Sequence, residues 1–388
     1  MEYSSMRRVC LLGASGSIGS QTLDILEADR SHFELVGFSV GERINVIPDI
    51  LSRFPSCKFI CVKHNENVKD IRDLRGNLTI FSEDEGLISL IKECNCDLVV
   101  NALVGFAGLV PSVRALEENK ILCLANKESL VVGGDLINDL LRKGKGKLYP
   151  IDSEHVAIAK LFSRTRREDI DTLYITASGG SFRNKSREEL VNVTVEDALA
   201  HPTWSMGKKI TIDSATMMNK GFEVIEAKVL FDFPLEKTKV MLHEESYVHS
   251  FLKMKDGSYL CDISKPDMHN PIRYALYESK VDFDLVKVAS LDELEGLHFK
   301  EFDKERFPMV SKAVKAFEIG GTARTILNRS NEEAVYAFLS KKISFLDIEK
   351  IVDLALNTLS IKSNPSLEEI IAADKECTDF VAKVIKEL

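Results

Sequence analysis

The sequence predicts an α/β protein in three parts: an N-terminal Rossmann-type parallel sheet, an α+β middle region with a mainly antiparallel sheet, and a C-terminal helical bundle. Three observations carry this prediction. Short apolar runs alternate with helical stretches from Val9 to Ile151, the pattern of right-handed β-α-β crossovers. Lys255-Asp256-Gly257-Ser258 gives a hairpin signal among strands between Val240 and Ser264. Beyond Phe307 the apolar spacing is purely helical, as in Val310, Val314 and Phe317, then Val352, Ala355, Leu356 and Leu359. The 388 residues exceed the roughly 150 of a typical domain. The divisions read from them are 1–150, 151–290 with a loop at 201–209, a linker at 291–312, and helices over 313–388.

The first strand, Val9 to Leu12, runs into Gly13-Ala14-Ser15-Gly16-Ser17-Ile18-Gly19 and a helix over Ser20 to Leu26. In such a unit the glycines let backbone approach a pyrophosphate, and the helix N-terminus offers free N–H groups. A merely tight turn is the competing reading of the GxxGxxG spacing. The second strand, Phe33 to Val40, ends at Gly41-Glu42-Arg43, where an acid suits the ribose 2′-hydroxyl of NAD and an arginine the 2′-phosphate of NADP. Ser39 at the strand tip and Arg43 lean toward NADP; a solvated Arg43 is the plain alternative.

Phe59–Val62, Leu78–Ile80, Asp97–Ala102 and Ile121–Ala125 continue the alternation, with a helix from Pro111. Asn126-Lys127-Glu128 then sits past a strand's carboxyl end, where ligands of parallel sheets bind. Lys147–Ile151 delivers Asp152-Ser153-Glu154 before a helix over Val156 to Phe162, and Leu173–Ala177 leads into Ser178-Gly179-Gly180-Ser181.

If the strand continues through Asp152 and Glu154, both carboxylates face one side and suit Mg²⁺ or Mn²⁺. Capping of the next helix is the alternative. From His201 to Glu223 the chain reads HPTWSMGKKITIDSATMMNKGFE, too poor in aliphatics for a core. Unpaired buried polar groups cost about 1–3 kcal/mol each, so this density suits a polar, charged small molecule. Ser214, Asn219 and Lys220 could jointly hold a phosphate, with donors added by Ser178, and Glu223 follows at the start of a helix over Phe222 to Leu230. His201 precedes Pro202 and is extended in a loop, where Trp204 and Met206 are either a lid's apolar side or core; Met217 and Met218 read as core.

A net charge of -9 argues against nucleic acid or an anionic membrane surface as the main partner. The eight cysteines, at 10, 57, 61, 94, 96, 123, 261 and 377, form no CxxC or zinc spacing and read as reduced, mostly buried thiols. With no 18-residue apolar run, and too few residues before the first strand for a leader, the expectation is a soluble cytoplasmic protein.

Five stretches carry a resemblance: GASGSIGSQTLDIL from Gly13, LANKESLVVGG from Leu124, PIDSEH from Pro150, TASGGSFR from Thr176, and HPTWSMGKKITIDSATMMNKGFEVIEA from His201. Together they resemble the 1-deoxy-D-xylulose 5-phosphate reductoisomerase family over essentially the whole chain. The resemblance implies NADPH on Ser15, Gly16, Ser17 and Ile18, with the adenosine side at Gly41, Glu42 and Arg43 and the nicotinamide half at Asn126, Glu128 and Gly207. It implies one Mg²⁺ or Mn²⁺ on Asp152, Glu154 and Glu223, and a phosphorylated sugar on Lys127, Ser153, Glu154, Ser178, His201, Ser214, Asn219, Lys220 and Glu223. Catalysis would fall to Lys127, Asp152, Glu154, His201 and Glu223, in a rearrangement followed by hydride transfer, under a loop from His201 to Lys209 that closes with Trp204. A homodimer through the strands between Val240 and Ser264 is a further implication. Two departures stand out: Glu42 is an unusual neighbour for a 2′-phosphate, and Ser264-Lys265 replaces a glycine-glutamate pair before Pro266-Asp267-Met268. The competing classes are another NADP-linked dehydrogenase of a phosphorylated or semialdehyde substrate, with Asp152 and Glu154 as caps, and a non-enzymatic NADP-responsive module.

Overall fold

A computed structural model describes residues 6–280 and 289–388. Among these, seven strands form one sheet: β1 (Arg7–Leu12), β2 (Phe33–Val40), β3 (Phe59–Val62), β4 (Thr79–Ser82), β5 (Leu98–Asn101), β6 (Ile121–Leu124) and β7 (Lys147–Pro150). Its order is β4-β3-β2-β1-β5-β6-β7, and all neighbours run parallel. The connections are α1 (Ser17–Ala28), α2 (Ile47–Arg53), α3 (Val68–Arg72), α4 (Glu83–Glu93), α5 (Leu109–Glu117) and α6 (Lys127–Arg142). Strand order reverses at β1, so the crevice beyond the carboxyl ends of β1 and β5 is where a ligand of such a sheet sits.

The second sheet contains β8 (Ile170–Ala177), β9 (Thr238–Leu242), β10 (Val248–Met254), β11 (Tyr259–Ile263) and β12 (Lys300–Glu301), in the order β11-β10-β8-β9-β12. β10 and β11 form the expected hairpin, and β10–β8 and β9–β12 are also antiparallel. β9 departs from expectation by running parallel to β8. The reason lies in the connection, since the chain passes through α8 (Val195–Leu199), α9 (Lys208–Thr216) and α10 (Met218–Phe231) before β9, a crossover long enough for a parallel return. The remaining helices are α7 (Ser153–Ser163), α11 (His269–Leu276), α12 (Met309–Ile319), α13 (Ala323–Leu339), α14 (Asp347–Thr358) and α15 (Leu367–Glu387), the last opened by a Ser366/Glu369 capping box. The stretch expected as a linker over 291–312 holds a 3₁₀ turn, Leu291–Leu294, then β12 and the start of α12.

Packing follows two compact units rather than chain order. The first comprises the chain through Ser129, then Asp135–Asp152, and a later segment beginning at Asp267 that includes α11. In its core Val9 and Leu11 meet Leu23 and Leu26 of α1, and Ile272 and Leu276 bring in α11. The second unit comprises Leu130–Gly134, Ser153–Pro266 and the C-terminal helices. Its core joins Ile158 and Leu161 of α7 to Leu173 and Ile175 of β8, Val224 of α10 and Leu252 of β10. Each such buried aliphatic contributes about 1.5–3 kcal/mol.

Candidate active site

The glycine turn is built for a close approach. Gly13 has φ +84°, and a Cβ there would stand 2.6 Å from the Ala102 carbonyl oxygen. α1 opens at Gly16, extended and without a side-chain cap, so the first-turn N–H groups at Ser17 and Ile18 are left for an anion. Ser39 serves the loop rather than a ribose: its buried hydroxyl accepts the Gly13 N–H at 2.9 Å, and its carbonyl accepts the Ala14 N–H at 2.8 Å. Gly41, Glu42 and Arg43 follow β2, the last two exposed. Lys63 and His64, arriving from the end of neighbouring β3, lie 2.7 and 3.0 Å from the Glu42 carboxylate and hold it below the ordinary glutamate value. Paired in this way, Glu42 adds little repulsion toward a 2′-phosphate.

Asn126 is the N-cap of α6. Its Oδ1 accepts the Ser129 N–H at 2.9 Å while Nδ2 donates to the carbonyls of Leu103 and Gly105 at 3.0 and 2.9 Å. A Cβ on Gly108 would lie 2.3 Å from that amide, so only glycine admits it. Engaged on both sides, the Asn126 amide fixes the helix turn that carries Lys127 and Glu128, both in its first turn.

Lys127 forms an ion pair with Asp152, the last residue of the first unit's second segment. β7 stops at Pro150 and α7 begins at Ser153, so the strand does not run through Asp152 and Glu154, and their shared direction comes from the strand-to-helix corner instead. Within the second unit Lys220 donates to Glu154 at 2.9 Å and also to Glu223. Asn219 Nδ2 donates to Glu223 Oε1 at 2.6 Å, and the Ser153 hydroxyl to Glu154 Oε2 at 2.6 Å. Burial lowers the Lys220 ammonium, but the two carboxylates outweigh it and hold the group above the ordinary lysine value. Glu223 is 1% exposed and lies in the second turn of α10, not at a helix start as its apolar neighbours suggested.

Within the second unit, carboxylate oxygens of Glu154 and Glu223 lie within 4.8 Å of one another, and Asp152 stands two residues before Glu154 in the chain. An all-oxygen set of that size fits Mg²⁺ or Mn²⁺, whose octahedral bonds of about 2.1 Å place adjacent oxygens about 3 Å apart. His155 was missed by sequence reasoning, although it directly follows Glu154. Fully buried, its Nε2 donates to the Glu223 carbonyl at 3.0 Å and ties α7 to α10. Ser250 donates to the Glu154 carbonyl at 3.2 Å.

Ser178 follows β8, and its hydroxyl lies 3.3 Å from His201 Nε2. His201 Nδ1 accepts the N–H groups of Thr203 and Trp204 at 3.1 and 2.9 Å, so the ring proton sits on Nε2 and is donated to Ser178. Burial, then the nearby Arg183 charge, keeps this imidazole below the ordinary histidine value. The expected loop 201–209 ends sooner: Gly207 is the N-cap of α9, and Lys209 is buried within that helix, 2.8 Å from Asp213.

Asn331 supports Asp213 from α13 at 2.8 Å, a further residue without a sequence signal. Ser214 reaches the same corner, since a Cβ on Gly180 would meet its carbonyl oxygen at 2.5 Å. Met217 joins α9 to α10 at φ +65°, a left-handed conformation costing about 1–3 kcal/mol for a non-glycine residue. In the first turn of α10 the Met218 N–H goes to the Thr216 hydroxyl at 3.3 Å, and the N–H groups of Asn219 and Lys220 are left for an anion. Met217 and Met218 are core, as expected, at 2% and 0% exposure, and Trp204 is half-buried.

Three family models match the chain: 1-deoxy-D-xylulose 5-phosphate reductoisomerase over residues 9–134, its C-terminal domain over 148–231, and a DXP reductoisomerase C-terminal domain over 263–380. A 1-deoxy-D-xylulose 5-phosphate reductoisomerase 2 of Bacillus thuringiensis subsp. konkukian is 45% identical over 381 residues, covering 98% of this chain and 100% of the relative. The Bacillus subtilis 1-deoxy-D-xylulose 5-phosphate reductoisomerase is 44% identical over 383 residues, with the same coverage. Among solved structures, the Zymomonas mobilis reductoisomerase in complex with NADPH superposes with a TM-score of 0.90 at 36% identity, covering 99% of this chain and 100% of that one. A DOX-P reductoisomerase in complex with NADPH, fosmidomycin and magnesium gives 0.91 at 36% identity over 98% of each chain. The chain belongs to the 1-deoxy-D-xylulose 5-phosphate reductoisomerase family.

Proposed function

We propose that this chain converts 1-deoxy-D-xylulose 5-phosphate to 2-C-methyl-D-erythritol 4-phosphate, with NADPH as hydride donor and Mg²⁺ or Mn²⁺ as the divalent ion, in the non-mevalonate supply of isoprenoid precursors. The observation that carries this reading is the gathering of Glu154 and Glu223 around Lys220, with Asp152 two residues before Glu154 in the chain. Full-length identity to relatives of that name supports it.

Asp152, Glu154 and Glu223 hold the cation, with Ser153 and Asn219 orienting the second and third of them. Bound there, a divalent ion supplies Lewis-acid polarisation of the substrate's ketone and hydroxyl oxygens. Lys127, paired with Asp152, and Lys220, paired with Glu154 and Glu223, are the ammonium groups that would face the anionic oxygens of a substrate. Ser178, Ser214, Asn219 and the first turn of α10 hold the phosphate, and that binding energy positions the reacting carbons. His201 presents Nε2–H from the loop that ends at Gly207, which closes with Trp204 to exclude water.

The dinucleotide's pyrophosphate would rest on Ser15, Gly16, Ser17 and Ile18, its adenosine side on Gly41, Glu42 and Arg43, and its nicotinamide half on Asn126 and Glu128. The protein acts in the cytoplasm; no helix among the described residues is long and apolar enough to cross a membrane. Two copies pair through the hairpin of β10 and β11, whose edge strand exposes Tyr259, Leu260 and Ile263.

The test follows NADPH oxidation with 1-deoxy-D-xylulose 5-phosphate, with Mg²⁺ and with chelator, in the parent and in Glu223→Gln. Turnover is expected only with metal, and the variant should fall by roughly a hundredfold or more. Full activity in chelator would favour a metal-independent dehydrogenase instead.

A further inference from the structure

The sulfurs of Cys10, Cys94 and Cys96 all lie within 4.8 Å of one another inside the first unit, and the three residues are 0%, 2% and 1% exposed. Their meeting follows from local geometry. Val9 and Leu11 pack into the core shared with α1, so Cys10 between them on β1 faces the opposite side of the sheet. Cys94 is the C-cap of α4, and the exposed Asn95 after it adopts φ +51°, a turn that brings Cys94 and Cys96 round to the same thiol.

We infer that these three cysteines form a binding site for a soft, thiophilic cation, Cu(I) before Zn²⁺. Thiolates select soft ions. Metal–sulfur bonds of about 2.3 Å in a trigonal arrangement place the sulfurs about 4 Å apart, within the spacing the fold already provides. No fourth His, Cys, Asp or Glu joins the group among the described residues, and structural zinc takes four ligands. Three thiols lose three protons on binding, and the resulting negative charge faces Lys120, whose ammonium donates to the Cys96 carbonyl at 2.8 Å. The exposed Asn95 turn is the entry path. This site and the all-oxygen carboxylate set sort metals by hardness, so Mg²⁺ and Cu(I) do not compete for the same ligands.

The test uses the reduced, anaerobic full-length protein mixed with Cu(I) held by bicinchoninate. The parent and Cys261→Ser should withdraw one Cu(I) per chain, an excess of Zn²⁺ should not displace it, and the Cu K-edge spectrum should show three sulfur ligands. Cys10→Ser and Cys96→Ser should withdraw none; should either fail to fold, the spectrum of the parent decides. No withdrawal by the parent, withdrawal persisting in folded Cys10→Ser, displacement by Zn²⁺, or nitrogen and oxygen ligands in the spectrum would overturn the site and leave three thiols packed as small apolar groups.

Discussion

Replacing Lys220 by Met keeps the length of the side chain and removes the buried cation between the half-buried Glu154 and the buried Glu223 carboxylates. Lys220 is 5% exposed, and at its 2.9 Å distance from Glu154 the attraction is about 6 kcal/mol at an effective dielectric of about 20, before desolvation is counted. Desolvation offsets much of this, so removing one partner of such a buried pair costs a net of about 3–5 kcal/mol. For a unit of this size that corresponds to a fall of about 10 °C in the melting midpoint. The measurement is a thermal melt of parent and Lys220→Met in chelator and in Mg²⁺. In chelator the variant should melt well below the parent. With Mg²⁺ it should gain more than the parent does, because a divalent ion replaces the missing charge without having to displace a lysine. A variant that melts with the parent in chelator, or gains no more from Mg²⁺, would refute the reasoning.

Two other outcomes follow from separate parts of the structure. The His201 imidazole is held below its ordinary value near 6.5, so the released loop binds the proton more readily; the contribution of the ordered loop is full above about pH 6.5 and is lost as pH falls through the lower folded value. Because Trp204 is the only tryptophan, its fluorescence should shift toward that of an exposed indole on acidification in the parent and stay level in His201→Gln, and a level parent would count against the tautomer assignment. On the β11 edge, where pairing of two copies is proposed, Leu260→Lys should give a monomer in sedimentation under conditions where the parent sediments as a dimer; a parent that is monomeric, or a variant that is still dimeric, would count against that interface.

Much of the fold was legible because its strands are short, apolar and bounded by glycine or charge. Phe33–Val40 and Phe59–Val62 coincide with β2 and β3, since buried parallel strands carry continuous apolar runs. α9 escaped notice for the opposite reason. KKITIDSAT buries Lys209, Thr211, Asp213 and Thr216, and a helix that hides paired polar groups has no amphipathic period.

The Asp152 and Glu154 pairing was visible in the sequence, but a helix start rather than a continued strand produces it. Contacts between distant positions had no local signal. Lys63 and His64 reach Glu42 only because β2 and β3 end side by side, and His155 reaches the Glu223 carbonyl only once α7 and α10 have packed. The cysteine cluster is the plainest case, for Cys10 precedes its partners by more than an entire β-α-β unit.

Everything proposed for the carboxylates comes down to where the divalent ion sits, and Mn²⁺ titration followed by electron paramagnetic resonance reads that without substrate or turnover. The parent should take up one tightly held Mn²⁺ per chain, and Asp152→Asn, Glu154→Gln and Glu223→Gln should each release it to solution. Undiminished Mn²⁺ uptake in all three variants would mean that these acids do not hold the metal.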